Sequence, residues 1–161
     1  MIVTGRGSAK VTLPSDEQIL ITREFAAPRH RVFAAWTTPE LVKRWWAGQR
    51  GEVTIAEVDL RVGGGWRWVM MANGGFEVAF HGEYLEVAQD ERLVMTEVFE
   101  PMPEAQAVNT LTLTEVDGAT LLTMLVQHTS KEHRDIHINS GMEGGMQEAL
   151  DLLEQVANST A

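Results

Sequence analysis

Apolar and polar side chains alternate at period two over residues 18–25, which predicts a half-buried strand. The spacing then becomes helical. Pro28 stands where a first helical turn accepts proline, and the apolar positions that follow end at Trp36. The Thr-Pro-Glu segment at residues 38–40 supplies an N-cap, a first-turn proline and an acid for a second helix, which ends at Trp46. One strand and two short helices are therefore expected first.

Hairpin signals replace helical ones from residue 53 onward. The dipeptides at residues 73–74 (Asn-Gly) and 117–118 (Asp-Gly) favour type I′ turns between antiparallel strands. The segment at residues 100–107, with two prolines, is the one longer loop expected here. No helical segment intervenes, which excludes a parallel doubly wound sheet. Six further strands are predicted: residues 53–62, 66–72, 76–87, 92–99, 108–116 and 119–129.

Helical spacing returns after residue 129. Thr129 and Glu132 have the spacing of a capping box, so a short helix is predicted over residues 130–138. From Met142 to Ala157 the apolar positions recur every three or four residues, which predicts a long amphipathic helix. Glycines cluster at its start, where no side chain would block a close approach to the sheet: Gly141, Gly144 and Gly145.

This order of elements predicts an α+β fold in which a curved antiparallel sheet of about seven strands wraps around the C-terminal helix. We expect a single domain over residues 1–161, with a core at about 15–157 and an N-terminal extension at 1–14. A curved sheet around one helix leaves space between them unless the inward side chains are large. An apolar cavity is therefore the expected functional site.

The charge and composition of the chain exclude several classes of binding partner and of chemistry. The 161 residues carry 13 Lys and Arg against 23 Asp and Glu, a formal charge of −10, so nucleic acid and anionic membranes are not expected to bind. The chain has no cysteine, which removes disulfides, thiolate catalysis and Cys-ligated zinc. Its first residues form no apolar stretch, so we expect a cytoplasmic protein.

Several segments together resemble one known family over about residues 10–157. They are ITREFAAP at 21–28, PELVKRWW at 39–46, DLRVGGGW at 59–66, HGEY at 81–84 and GMEGGM at 141–146. The chain is identified on these segments as similar to the activator-of-heat-shock-protein-90-ATPase homologue family, within the START-like or SRPBCC superfamily. The resemblance implies the helix-grip fold.

The resemblance also sets the functional expectations. Superfamily members include lipid carriers, hormone receptors, and polyketide cyclases and aromatases. The resemblance is to the single-domain bacterial type, which lacks the separate N-terminal domain of the eukaryotic co-chaperones. No chaperone partner is therefore expected. Related single domains often pair, and the outer sheet face is where a homodimer would form.

Aromatic and methionine side chains are the candidate ligand contacts. Trp66, Trp68 and Met70 share one strand face, and Trp45 and Trp46 end a helix where it would meet the sheet. Core packing is the alternative for each of them, and the alternative stays open. The full candidate set is Trp45, Trp46, Trp66, Trp68, Met70, Met95, Glu97, Phe99, Met124, Met142 and Met146.

Glu97 and His81 are the candidate catalytic residues. Glu97 alternates with Leu93, Met95 and Phe99, so it would be a buried carboxyl with a raised pKa if that face is internal. An outward salt bridge is the favoured alternative. Either group could move protons on a bound aromatic or polyketone molecule.

Three histidines, His128, His133 and His137, are near enough in sequence to raise the question of a metal site. The residues between the last two lack the glutamate of a zinc-protease motif, and we interpret the group as a solvated helical face. No metal and no cofactor are expected. The leading hypothesis is binding of a small hydrophobic or amphipathic molecule; the alternatives are a cyclase-like enzyme and a module that stimulates a chaperone ATPase.

Overall fold

The computed structural model describes residues 9–159 and is built of eight strands and four helices in that range. The strands are β1 (Lys10–Thr12), β2 (Gln18–Phe25), β3 (Gly51–Val58), β4 (Gly65–Ala72), β5 (Glu77–Ala88), β6 (Arg92–Phe99), β7 (Ala107–Val116) and β8 (Ala119–Gln127). The helices are α1 (Arg29–Thr37), α2 (Pro39–Trp45), α3 (Lys131–Asn139) and α4 (Met142–Ser159). The predicted α+β class and order of elements are confirmed.

All strands belong to one antiparallel sheet in the order β1-β2-β8-β7-β6-β5-β4-β3. From β3 to β8 each strand pairs with the next one in the chain, as local hairpins require. Helices α1 and α2 carry the chain from β2 to the opposite edge at β3. The curved sheet wraps α4, whose Leu150, Leu153 and Val156 are buried in the common core. This is the predicted helix-grip arrangement.

The sheet has one strand more than the seven expected. β1 pairs with β2, with Val11 opposite Ile21, inside the segment assigned to an N-terminal extension. Three residues are too few to show a period-two pattern, so only the pairing reveals this strand. The amide of Gln147 on α4 also exchanges two hydrogen bonds with the backbone of Ala9, at 2.9 and 2.8 Å. The rest of that segment, residues 1–8, lies outside the described range.

The two turn predictions have different outcomes. At Asp117-Gly118 both residues have positive φ, 51° and 80°, as a type I′ turn requires. In the turn after β4 the positive φ falls on Gly75 instead, and the loop spans four residues. Asn73 is held elsewhere, because its backbone N–H donates to the Arg50 carbonyl and its side chain to the Gln49 carbonyl. A contact between distant segments therefore overrides the local turn preference.

The helix starts were predicted to within one residue. Thr38 is the N-cap of α2 with proline at the first helical position, as expected, although its side chain makes no capping hydrogen bond. The cap of α3 is Ser130 rather than Thr129: the Ser130 hydroxyl accepts from the backbone N–H of His133. The Thr129 hydroxyl forms a hydrogen bond with Nδ1 of the His133 ring instead. The N-cap therefore lies one residue later than predicted.

Candidate functional site

A cavity of about 470 Å³ lies between the inner face of the sheet and the first half of α4. Its walls come from β2, from β4 to β8 and from all four helices, and they are mainly aromatic and aliphatic. The volume is within the range of small-molecule sites. Three lining residues, Arg50, Ile136 and Ser140, are also exposed on the surface, so the cavity opens between the α2–β3 connection and α3.

One wall is built of tryptophans around Trp68. The rings of Trp45, Trp46 and Trp66 lie 5.8, 5.6 and 5.3 Å from the Trp68 ring, all close to edge-on. Trp36 of α1 adds a fourth neighbour at 6.1 Å. Aromatic pairs favour such edge-to-face geometry, so the wall is a rigid apolar surface.

The polar edges of these rings are unequally satisfied. Trp45 Nε1 donates to the Ala35 carbonyl at 2.9 Å, and Trp66 Nε1 donates to the Thr96 carbonyl at 3.2 Å. The buried Nε1 atoms of Trp36 and Trp68 have no acceptor among residues 9–159. An unpaired buried donor costs free energy, which a ligand or ordered water beside it could recover.

The structure brings together the whole predicted set of contact residues. All eleven line the cavity: Trp45, Trp46, Trp66, Trp68, Met70, Met95, Glu97, Phe99, Met124, Met142 and Met146. One residue can both pack in the core and line the cavity: Trp66 and Trp68 are buried and still face the cavity. That they contact a ligand stays a prediction.

Glu97 projects into the cavity from the inner face of β6, together with Met95 and Phe99. The favoured outward salt bridge is wrong, because the apolar alternation of β6 fixes this face inward. Burial raises the pKa of the Glu97 carboxyl, and a 3.2 Å hydrogen bond from Asn109 Nδ2 opposes the rise. The buried Oδ1 of Asn109 has no partner among the described residues.

The histidine cluster is not a solvated helical face. His128 is buried, and its Nε2 lies 3.0 Å from His137 Nδ1, so one ring donates to the other. Burial lowers the pKa of both rings, that of His137 to about 4, which keeps the pair neutral at pH 7. The interpretation failed because α3 returns towards the end of β8, so that His137 meets His128 and both rings line the cavity. Among residues 9–159, no three suitable side chains converge to hold a metal ion.

His81 lies outside the cavity, on the outer face of β5. Its partner across the sheet is Arg67, and its Nδ1 is 2.9 Å from Glu100 Oε2. Arg67 donates two hydrogen bonds to Glu100, and these bonds, with that of His81, lower the pKa of Glu100 to about 2. The catalytic hypothesis for His81 is corrected accordingly: Val78, Phe80 and Tyr84 face inward on this part of β5, so the imidazole of His81 points away from any bound molecule.

Other lining residues were missed in the sequence. Phe80 and Tyr84 face the cavity from β5, and their alternation with Val78 could have identified that inner face. Asn109 is a polar residue on an inner face that is otherwise apolar, which is also a readable signal. Arg50 lies in the connection between α2 and β3, where apolar residues show no periodicity. Only the fold therefore shows that it lines the cavity.

Comparisons with known proteins agree with this geometry. A crystal structure of a Rhodobacter sphaeroides protein is 25% identical, covers 95% of this chain and 100% of its own, and has a TM-score of 0.88. One from Nitrosomonas europaea is 26% identical, with 91% and 97% coverage and a TM-score of 0.81. The solution structure of the AHSA1-like protein from Aeromonas hydrophila is 23% identical, with 87% and 92% coverage and a TM-score of 0.67. No curated protein matches the chain.

A curved antiparallel sheet wrapped around a terminal helix, with an apolar cavity between them, defines a helix-grip domain of the START-like, SRPBCC class. Within this class, the family model described as Activator of Hsp90 ATPase homolog 1-like protein matches residues 26–158. The match covers most of the chain, and the protein belongs to this family. No helix within residues 9–159 is both long and apolar enough to cross a bilayer.

Proposed function

We propose that the protein is a single-domain binder of a small, mainly apolar molecule, held between the sheet and α4. The observation that carries this proposal is the 470 Å³ cavity itself, lined by five tryptophans and six methionines. Tryptophan offers flat apolar surface at low entropic cost, and methionine adapts to irregular shapes. A protein interior is normally packed to crystal-like density, so a space of this size is a feature that function would explain.

Binding of a neutral fluorescent probe such as phenylnaphthylamine, followed by calorimetry and native mass spectrometry, tests the proposal. We expect one probe per chain. Met70→Trp places a larger ring in the cavity and should weaken binding about tenfold. Met71→Trp is the matched control, because Met71 is the next residue on β4 and is exposed on the outer face. No binding to the wild type, or equal loss in both variants, would contradict the proposal.

A second candidate is an enzyme of the cyclase type, and the position of Glu97 favours it. A carboxyl with a raised pKa inside an apolar cavity suits proton transfer to or from a bound molecule. With an aromatic polyketone as substrate, Glu97→Gln should reduce turnover about a hundredfold while binding persists. His81→Ala serves as the control, since His81 lies on the outer face and should leave turnover unchanged. Unchanged turnover in Glu97→Gln would remove this candidate.

Stimulation of a chaperone ATPase rests on the family description alone.

A further inference from the structure

The cavity has one cationic side chain at its opening. Arg50 is the only Lys or Arg among the described residues that line the cavity, and it is exposed. Its Nη2 donates to the Gly141 carbonyl at 3.0 Å, at the junction of α3 and α4. The guanidinium packs against Gly145, where any side chain on α4 would collide with it. Arg50 is therefore bound beside the opening by a backbone acceptor, in space that Gly145 leaves free.

The positive charge of Arg50 has no acidic partner in the described part of the chain. No carboxylate among residues 9–159 forms an ion pair with Arg50. The acid of α4 that reaches the α2–β3 connection, Glu148, accepts a hydrogen bond from the backbone N–H of Gln49 instead. In a chain with a formal charge of −10, an unpaired arginine beside an apolar cavity calls for an explanation. An anionic group on the bound molecule supplies one.

The buried ionisable groups of the cavity argue for the orientation of the ligand. Glu97, His128 and His137 line the cavity, and burial disfavours a charge on each of them. The same desolvation would penalise a ligand anion placed beside these groups, away from solvent. At the opening an anion keeps part of its hydration and gains a guanidinium partner.

We propose that the ligand is an amphipathic monocarboxylate, whose carboxylate pairs with Arg50 at the opening and whose apolar body lies among the tryptophans and methionines. This inference rests on the proposed function and specifies its ligand class. One arginine carries one charge, which matches a single carboxylate better than a doubly charged phosphate ester. The planar fork of the guanidinium also fits the two oxygens of a carboxylate.

Decanoate and decanol, compared by calorimetry, test the inference, because they share an apolar chain and differ in the head group. Arg50→Gln should weaken decanoate about tenfold and change decanol less than twofold. Arg50→Lys, which keeps the charge but not the fork, should retain part of the decanoate affinity. Arg61→Gln is the control for net charge: Arg61 is exposed in the β3–β4 hairpin, where it pairs with Asp59. It should leave both affinities unchanged.

The outcomes separate the inference from the function on which it rests. If the wild type binds neither decanol nor the neutral probe, the proposed function fails. If decanol binds but Arg50→Gln leaves decanoate unchanged, or Arg61→Gln weakens it equally, the carboxylate inference fails and the function stands. Selective loss of decanoate in Arg50→Gln, diminished by added salt in the wild type, supports both.

Discussion

Glu97 shows how the side-chain alternation of one strand decides the chemistry of a residue. The same carboxyl on the outer face of β6 would be solvated, whereas on the inner face it stands beside Met95, Phe99 and the amide of Asn109. All eleven contact candidates line the cavity, although for Glu97 an outward position was the favoured expectation. The alternation of side chains could not decide whether a charged residue faces inward with its apolar neighbours. That depends on whether a hydrogen bond from another strand offsets the cost of removing the carboxyl from water.

Stability should respond to the ionisation of Glu97. Since burial raises its pKa above the ordinary 4.5, the folded chain holds this proton more tightly than the unfolded chain. Ionisation therefore costs stability as pH rises above 4.5. We expect Glu97→Gln to gain stability relative to the wild type between pH 4 and pH 7, as measured by urea denaturation.

The exposed Glu83 on β5 provides the comparison for this measurement. Glu83→Gln should show a stability difference from the wild type that changes little over the same pH interval. A Glu97→Gln difference that is equally independent of pH would mean that the carboxyl is not desolvated in the cavity.

At the scale of elements, α4 is attached to the sheet by both apolar and charged contacts. Arg23 lies on the inner face of β2, almost fully buried, and its guanidinium pairs with Asp151 and Glu154 of α4. The guanidinium also lies 4.9 Å from the centre of the Phe25 ring. The helix itself was predictable from its spacing. Its charged attachment was not, because that depends on which strand faces the helix.

Removal of this attachment should be costly. Arg23→Gln leaves two carboxylates without their cation and a polar group buried on the inner face, so we expect a loss of about 2–4 kcal/mol in the free energy of unfolding. Urea denaturation measures it. Arg29→Gln breaks an exposed pair with Glu91 at 3.7 Å and should cost under about 1 kcal/mol. Equal losses in the two variants would contradict the assigned role of Arg23.

Helix α3 is attached through the histidine pair, and this attachment should depend on pH. Burial lowers the pKa of His137 from 6.5 to about 4, so the unfolded chain takes up this proton first and stability falls as pH drops from 6.5 to 4. His137→Gln should lessen that fall, and hydrogen exchange of the α3 amides should report it. His30→Gln, on the exposed side of α1, is the control and should leave the fall unchanged. An identical acid response in His137→Gln and the wild type would contradict the pairing.

At the scale of the whole molecule, local patterns predicted most of the architecture and the resemblance supplied the rest. The strands, the helix starts and the terminal helix followed from period and capping residues. Three of the failures, namely strand β1, the turn at Asn73 and the burial of the histidines, involve contacts between different elements or their connections: β1 with β2, Asn73 with Gln49, and the end of β8 with α3. Such contacts leave no mark on local periodicity. A homodimer through the outer sheet face stays a prediction.

The methionines provide the most direct test of the cavity. Six of the eight, Met70, Met95, Met102, Met124, Met142 and Met146, line it, and Met71 lies on the outer face. Nuclear magnetic resonance of the isotope-labelled methyl groups, titrated with naphthalene, observes both sets in one sample. We predict saturable shifts of the six lining methyls and none at Met71. Unchanged lining methyls, or a response at Met71 alone, would contradict the claim that a small apolar molecule enters between the sheet and α4.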